Sequence, residues 1–357
     1  MNFDDGKQGV FVSVEDRFVI VTNREPPRQP QNLPPPRLSA TPPRAGGELL
    51  PPFLRKEGSL WIAVLLVILV FAGCRKESEA LQQQSIMPTR QVTDDLGRTV
   101  TVPVDIRRVV STAPSVTENI FAVGAGDRLV GVTTFCNYPE EANSIAKIGD
   151  TMTPNMESII ALKPDVVFVS TASQIEAFTK TLESNGIVVY VTSPSTLDDV
   201  FTGLEKLGGI FGTQDKTAEL LRDVRTRVRA VWSRVENERK VRVFVQVSRE
   251  DPYTIGRDSF LNNLIIKAGG ESVTADIPTA YPKLSKETGA VLDPEAIIIS
   301  DSEDNKEPND VFKNSPAVKN GRIYKINADI LSRPGPRLVD ALEQIAKDLH
   351  QDKFRNK

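Results

Sequence analysis

The sequence predicts an α/β protein of two lobes joined by one long helix. Three observations lead there. Short apolar runs rich in β-branched residues alternate with helical stretches: RVVST from Arg108, DVVFVS from Asp165, VRVFVQV from Val241 and AIIIS from Ala296 read as buried parallel strands. The alternation breaks once. From Gln214 to about Arg239 there is no Gly or Pro, and Leu220, Leu221, Val224, Val228, Val231, Trp232 and Val235 keep helical spacing. That stretch predicts one helix of roughly 25 residues, ~38 Å long. Finally, ESIIALKPDVVFVS at Glu157 has a near-echo, ETGAVLDPEAIIIS, at Glu287. Both place Pro seven residues after the Glu, an acid next, and Ser thirteen residues after the Glu.

The bulk numbers exclude several function classes. A length of 357 residues suits two medium domains or one bilobed body. A formal net charge of -3 and a pI near 5.6 argue against a nucleic-acid partner. The chain has 1 histidine, His350, and 2 cysteines, Cys74 and Cys136. Zinc sites built on His and Cys, Ser-His-Asp triads and CxxC redox pairs are therefore out of reach. GAGDRLVG at Gly124 lacks the third glycine of the dinucleotide fingerprint and ends a helix instead of opening one, and no GxSxG elbow occurs. The expectation is a non-catalytic protein with no intrinsic cofactor or metal.

The N-terminal region divides into three parts. Residues 1–54 carry ten of the 25 prolines between Pro26 and Pro52, and are expected to be disordered or to reflect a mis-assigned start. Residues 55–74 read as an export signal: Arg55 and Lys56, then LWIAVLLVILVF, then Ala72-Gly73-Cys74. Twelve apolar residues are too few for a membrane span of ~20, the alternative being an uncleaved anchor. The cysteine after Ala-Gly resembles the lipobox of bacterial lipoproteins, with Phe71 where that box prefers Leu. The resemblance implies acylation at Cys74 and a membrane anchor of two acyl chains. Polar residues 75–91 read as a tether.

The N-terminal lobe is expected over 92–212. RVVST leads into APSVTENIFAVGAG, where Ser115 and Glu118 are spaced as a capping box, Ile120, Phe121 and Val123 form the apolar face, and Gly124 ends the helix. LVGVT follows, then the loop FCNYPEEA, a helix over 173–184 stopped at Asn185-Gly186, the strand IVVYV, and a helix over 196–210 capped by Thr196 with Asp199 at N3. The connecting helix lies within 213–240. The C-terminal lobe is expected over 241–357: VRVFVQV, a helix over 258–268 closed by Gly269-Gly270, AIIIS, RIYKI, and a last helix from about Pro336. Each echo then reads as a helix starting near the Glu, a break at Pro and a buried strand ending in Ser. Two equivalent lobes are the simplest source of such a repeat, although a Glu in a first helical turn is also expected from the helix dipole alone.

RVVSTAPSVTENIFAVGAGDRLVGVTTFCNYPEEA, NMESIIALKPDVVFVS, RVFVQVSREDPYTIGRDSFLNNLIIKAGGES, AYPKLSKETGAVLDPEAIIIS and the RPGPR segment from Arg333 together resemble the solute-binding proteins of ABC importers for cobalamin, ferric siderophores and haem, and the cobalamin-binding members most. The resemblance covers about Val92 to the C-terminus. It implies two Rossmann-like lobes, a rigid connecting helix and a ligand cleft between the lobes. It also implies an exported monomer, periplasmic or on the cell surface, that presents a corrinoid or another metal chelate to a permease dimer with its ATPase subunits. Glu157 and Glu287 occupy the positions where such proteins dock onto permease arginines. Two carboxylates at fixed spacing suit a partner with twofold-related basic pockets. A ferric siderophore or haem is the alternative cargo. A surface receptor or scaffold acting without a transporter is the alternative class.

In α/β lobes, ligands bind outside the carboxyl ends of the strands. The loops there carry Phe135, Tyr138, Tyr253 and Tyr281, able to lie against a flat macrocycle or a catechol. Asp329 and Arg333 can address amide or carboxylate groups on its rim. The positions aligned with the tryptophans of cobalamin binders, near Thr151 and Ser170, are not aromatic here. Haem would need an axial ligand, for which Tyr138 is the candidate. Cys136 is expected to be a free thiol.

Overall fold

The computed structural model describes residues 10–14, 17–21, 88–171 and 175–355. The export signal, Cys74 and the tether before Pro88 lie outside the described residues. Near the start, β1 (Val10–Val14) and β2 (Arg17–Val21) pair as an antiparallel hairpin. A second hairpin, β3 (Thr89–Thr93) and β4 (Thr99–Pro103), opens the main body, so residues 89–91, expected in the tether, are instead paired strand. Its turn is organised by Asp94, whose carboxylate accepts the N–H groups of Leu96 and Arg98 at 3.0 and 2.9 Å and the Arg98 Nε at 2.8 Å.

Two four-stranded sheets follow, and every pairing within them is parallel. The first holds β5 (Val109–Ser111), β6 (Leu129–Val132), β7 (Val166–Ser170) and β8 (Val189–Thr192) in the order β6-β5-β7-β8. The second holds β9 (Val241–Gln246), β10 (Gly270–Ser272), β11 (Ala296–Asp301) and β12 (Ile323–Asn327) in the order β10-β9-β11-β12. The same topology is thus used twice, and the expected pair of α/β lobes is present. Seven of the eight strands sit where β-branched runs predicted them. The exception is β10, a Gly-Glu-Ser segment whose sequence has no strand signature and which pairs because β9 offers it a free edge. Every residue of β7 is buried, as a parallel strand covered on both faces should be.

Helix α1 (Pro114–Ala122) follows β5 and corrects one local expectation. Its N-cap is Ala113, with no side-chain cap, and Pro114 fills the first turn. Ser115 and Glu118 therefore form no capping box. Proline at N1 supplies a preset φ and lacks the N–H that a cap would satisfy. The stop at Gly186 and the Thr196 cap match the sequence. The short helix α2 (Met156–Ala161) starts from Asn155, and α3 (Ile175–Ser184) ends before Gly186. In α4 (Leu197–Phe211) the Thr196 hydroxyl accepts the Asp199 N–H at 3.0 Å, while the Asp199 carboxylate accepts the Ser195 N–H.

The connecting helix α5 (Gln214–Val235) has 22 residues, ~33 Å, and ends before Arg239. It packs closely on α4, where a Cβ at Gly208 would collide with Thr217. In the second lobe come α6 (Phe260–Lys267), α7 (Lys286–Val291), α8 (Pro316–Lys319), α9 (Ala328–Ser332), α10 (Leu338–Leu349) and α11 (Gln351–Phe354). Arg227 on α5 holds Glu343 at 2.9 and 2.7 Å and Asp340 at 2.5 Å on α10, fastening the last long helix to the connector. These carboxylates raise the guanidinium pKa, hydrogen bonding to Glu343 contributing most. The main hydrophobic core runs through both lobes, from Val109 and Phe168 to Val243 and Leu342.

Candidate functional site

The two echoes resolve into two equivalent tips. Helices α2 and α7 have six residues each. Asn155 Oδ1 accepts the Ser158 N–H at 2.9 Å, and Ser285 Oγ accepts the Thr288 N–H at 3.0 Å. Both caps therefore set the following helix so that Glu157 and Glu287 are its second residue and exposed. The Glu287 carboxyl is held below the usual range by its own backbone N–H and by the Ser285 hydroxyl. A groove of about 540 Å³ beside Glu287 is lined by Lys286, Asp293, Asp310 and Lys313.

The other repeated residues do different work. Asp165 accepts the backbone N–H groups of Arg107 and Arg108, both at 2.8 Å, tying down the entry to β5. Glu295 accepts the Arg242 N–H at 3.0 Å and an Arg239 N–H at 2.9 Å, doing the same for β9. Ser170 and Ser300 are buried toward the carboxyl ends of β7 and β11. The echo thus joins one outward carboxylate to one structural carboxylate in each lobe.

The second assembly crosses between the lobes. The RPGPR segment, Arg333 to Arg337, lies between α9 and α10. Arg333 Nη1 donates to Glu118 Oε1 at 2.8 Å and to Asn137 Oδ1 at 2.7 Å. Its Nη2 donates to the Phe135 carbonyl at 3.3 Å and pairs with Asp329 Oδ1 at 2.7 Å. Arg337 grips both oxygens of Glu118, Nε to Oε2 at 2.9 Å and Nη2 to Oε1 at 2.6 Å. The Arg337 guanidinium also lies 3.9 Å from the centre of the Tyr138 ring. Asn119 Nδ2 donates to the Pro334 carbonyl at 3.0 Å, and Asn137 Nδ2 to Asp329 Oδ2 at 3.2 Å. Glu118 is 4% exposed and Arg333 7%. Charges this deep persist only when paired and hydrogen-bonded, and here two guanidiniums meet two carboxylates.

Of the sequence-predicted cleft residues, this assembly gathers Phe135, Tyr138, Asp329 and Arg333. Phe135 and Asp329 are half-buried, whereas Tyr138 is 45% exposed. Tyr253 and Tyr281 lie together within the second lobe, on segments linked by Thr254 N–H to the Pro282 carbonyl at 3.1 Å and Gly256 N–H to the Ala280 carbonyl at 2.9 Å. The approach requires glycine, since a Cβ at Gly256 would overlap the Thr279 carbonyl oxygen. Tyr253 is 5% exposed and packs in the core. Tyr281 is half-buried with its hydroxyl enclosed, and burial pushes the phenol up to about 12 despite a hydrogen bond with Ser259. Thr151 and Ser170 are buried polar residues. Ser170, Ser115, Thr192 and Asn119 line a small hollow of about 20 Å³, enough for roughly one water.

Sequence reasoning missed Glu118, Asn137 and Arg337. One signal was available for Glu118. It sits on a helix whose buried face includes Val116 and Ile120, and no basic residue occupies 114, 115, 121 or 122 to pair with it. A buried carboxylate without a local partner needs a remote one.

Residues 109–330 match the family described as periplasmic binding protein. The chain belongs to that family. The ABC transporter substrate-binding lipoprotein YvrC of Bacillus subtilis is 31% identical over 316 residues, covering 85% of this chain and 100% of YvrC. The crystal structure of the periplasmic vitamin B12 binding protein BtuF of Vibrio cholerae superposes with a TM-score of 0.61 at 27% identity, covering 70% of this chain and 99% of BtuF. The periplasmic heme-binding protein RhuT from Roseiflexus sp. RS-1 shares the fold, with a TM-score of 0.61 at 22% identity, covering 70% and 99%. A periplasmic binding protein works outside the cytoplasmic membrane as the substrate-binding part of an ABC importer, and it is not an enzyme. Its two-lobed fold and long connecting helix are those expected from the sequence. Among the described residues no helix is long and apolar enough to cross a membrane.

Proposed function

We propose that this periplasmic binding protein is anchored by acylated Cys74 and delivers a corrinoid to an ABC permease dimer with its ATPase subunits, acting as a monomer. The observation that carries the corrinoid reading is the lobe-spanning assembly of Glu118, Arg333, Arg337 and Asp329. It pairs both guanidiniums with carboxylates beside the half-exposed Tyr138 ring. A rim of that kind has each of its two guanidiniums already paired with a carboxylate. It suits a macrocycle edged with neutral amides, with Phe135, Tyr138 and Tyr281 as apolar contacts. Haem is the second reading. It is favoured by the exposure of Tyr138, whose phenol could serve an iron as axial ligand.

Docking is assigned to Glu157 and Glu287. The equivalence of α2 and α7, each placing an exposed Glu as its second residue, supports two matched contacts on a twofold partner. The scaffold alternative lacks any need for that pairing.

The deciding experiment titrates the purified full chain with cyanocobalamin, haemin and a ferric catecholate by calorimetry and tryptophan fluorescence. Corrinoid binding well ahead of the other two is the expected result. Preference for haemin or the catecholate would move the cargo while keeping the importer role, and binding of none would return the scaffold reading.

A further inference from the structure

We infer that Glu118 is the residue that sets the charge preference of the ligand cleft, making it select an uncharged, amide-edged ligand over an anionic ligand of the same shape; the amide part of this inference rests on the corrinoid reading. Glu118 is buried on α1 of the first lobe, while the groups it neutralises arrive from the second. Its Oε1 accepts from Arg333 Nη1 at 2.8 Å and from Arg337 Nη2 at 2.6 Å. The two guanidiniums therefore share one oxygen and lie within reach of each other. Without Glu118 they would repel, and a ligand anion would be their natural counter-ion. Glu118 fills that role from inside the protein.

Asp329 completes the balance through Arg333 at 2.7 Å. It is also the more accessible carboxylate, its side chain 41% exposed against 3% for Glu118. The Arg337 side chain is 20% exposed. A ligand amide can donate to Asp329 and accept from the Arg337 edge. A ligand carboxylate meets Asp329 as a like charge and finds both guanidinium charges already paired with carboxylates. Glu118 acts through the arginines, so it is a positioning residue and not a ligand contact.

The test compares ligands that differ by one charge on one scaffold: cyanocobalamin and the monocarboxylates made by hydrolysing one of its side-chain amides. The full chain should bind the amide at least ~10-fold tighter. Glu118→Gln should shrink or reverse that ratio, most strongly at low salt. The double variant Glu118→Gln with Arg337→Gln leaves Arg333 balanced by Asp329 and should restore the preference, which relief of a packing defect alone would not do. If Glu118→Gln does not fold, Arg337→Gln, which leaves a net negative cluster, should widen the discrimination instead. An amide-to-acid ratio unchanged by these substitutions overturns the inference. A chain that binds no corrinoid overturns the cargo reading separately. In that case haemin and its dimethyl ester form the charge pair. Wild type should then favour the ester and Glu118→Gln the free acid, and equal ratios in both proteins would overturn the charge assignment too.

Discussion

Arg337 holds Glu118 through both carboxylate oxygens, at 2.9 and 2.6 Å, across 219 residues of chain and from one lobe to the other. The connecting helix α5 is therefore not the only tie between the lobes. Another joins α1 to the segment between α9 and α10, and its carboxylate is sheltered from water. Such a pair responds sharply to losing one member, because the survivor is left buried and uncompensated.

Glu118→Ala should therefore destabilise the folded chain by about 3–5 kcal/mol. The measurement is the urea midpoint, with an unchanged slope showing that the same surface unfolds. Glu118→Ala combined with Arg337→Ala should recover part of the loss. A loss below about 1 kcal/mol for the single variant would mean that the cluster is solvated and weak.

Glu157→Ala and Glu287→Ala should leave ligand affinity and stability nearly unchanged, because both carboxylates are exposed. Each should weaken coupling to the permease, by roughly 1.5–3 kcal/mol if it meets an arginine there. The double variant should abolish uptake in cells or ligand-stimulated ATP hydrolysis in proteoliposomes. Because the Glu287 carboxyl is held below its usual range, its contact should survive mild acidification. Unimpaired uptake by the double variant would remove the docking assignment.

Asp165→Ala should show the opposite pattern. Two backbone N–H groups, of Arg107 and Arg108, would lose their acceptor, costing about 1–3 kcal/mol of stability. Uptake per folded molecule should be unaffected. A docking defect without a stability loss would contradict the division of labour between the two repeated acids.

Tyr281 should titrate late in alkali. Burial favours the neutral phenol, so its folded pKa rises to about 12 from the ordinary 10.0. A raised folded pKa means that the contribution to stability is whole below pH 10 and is lost as pH climbs toward 12. Phenolate absorbance compared between wild type and Tyr281→Phe measures this directly. A Tyr281 signal appearing near pH 10 would show the hydroxyl to be in water.

Much of the fold was legible because parallel strands and the long helix announce themselves locally. DVVFVS and AIIIS are apolar on both faces, and α5 keeps its apolar spacing without a single Gly or Pro. The Thr196–Asp199 cap was legible for the same reason, since both partners lie within four residues. β10 was not, because Gly-Glu-Ser becomes a strand only when the β9 edge is beside it. Nor was the use of Glu118. Its spacing from Ser115 matched a capping box, but Pro114 already occupied the first turn.

By itself, the sequence determined the two α/β lobes, the connector, the paired glutamates at the start of matched helices and the lack of histidine chemistry. Each is written in periodicity, composition or a repeat, which act over short distances along the chain. Only the tertiary structure decided which carboxylates face outward and which tie down a strand, and that Glu118 answers Arg333 and Arg337. Those outcomes depend on burial and on partners from more than fifty to more than two hundred residues away. A carboxylate looks the same in sequence whether water or a guanidinium satisfies it, and only folding makes that choice.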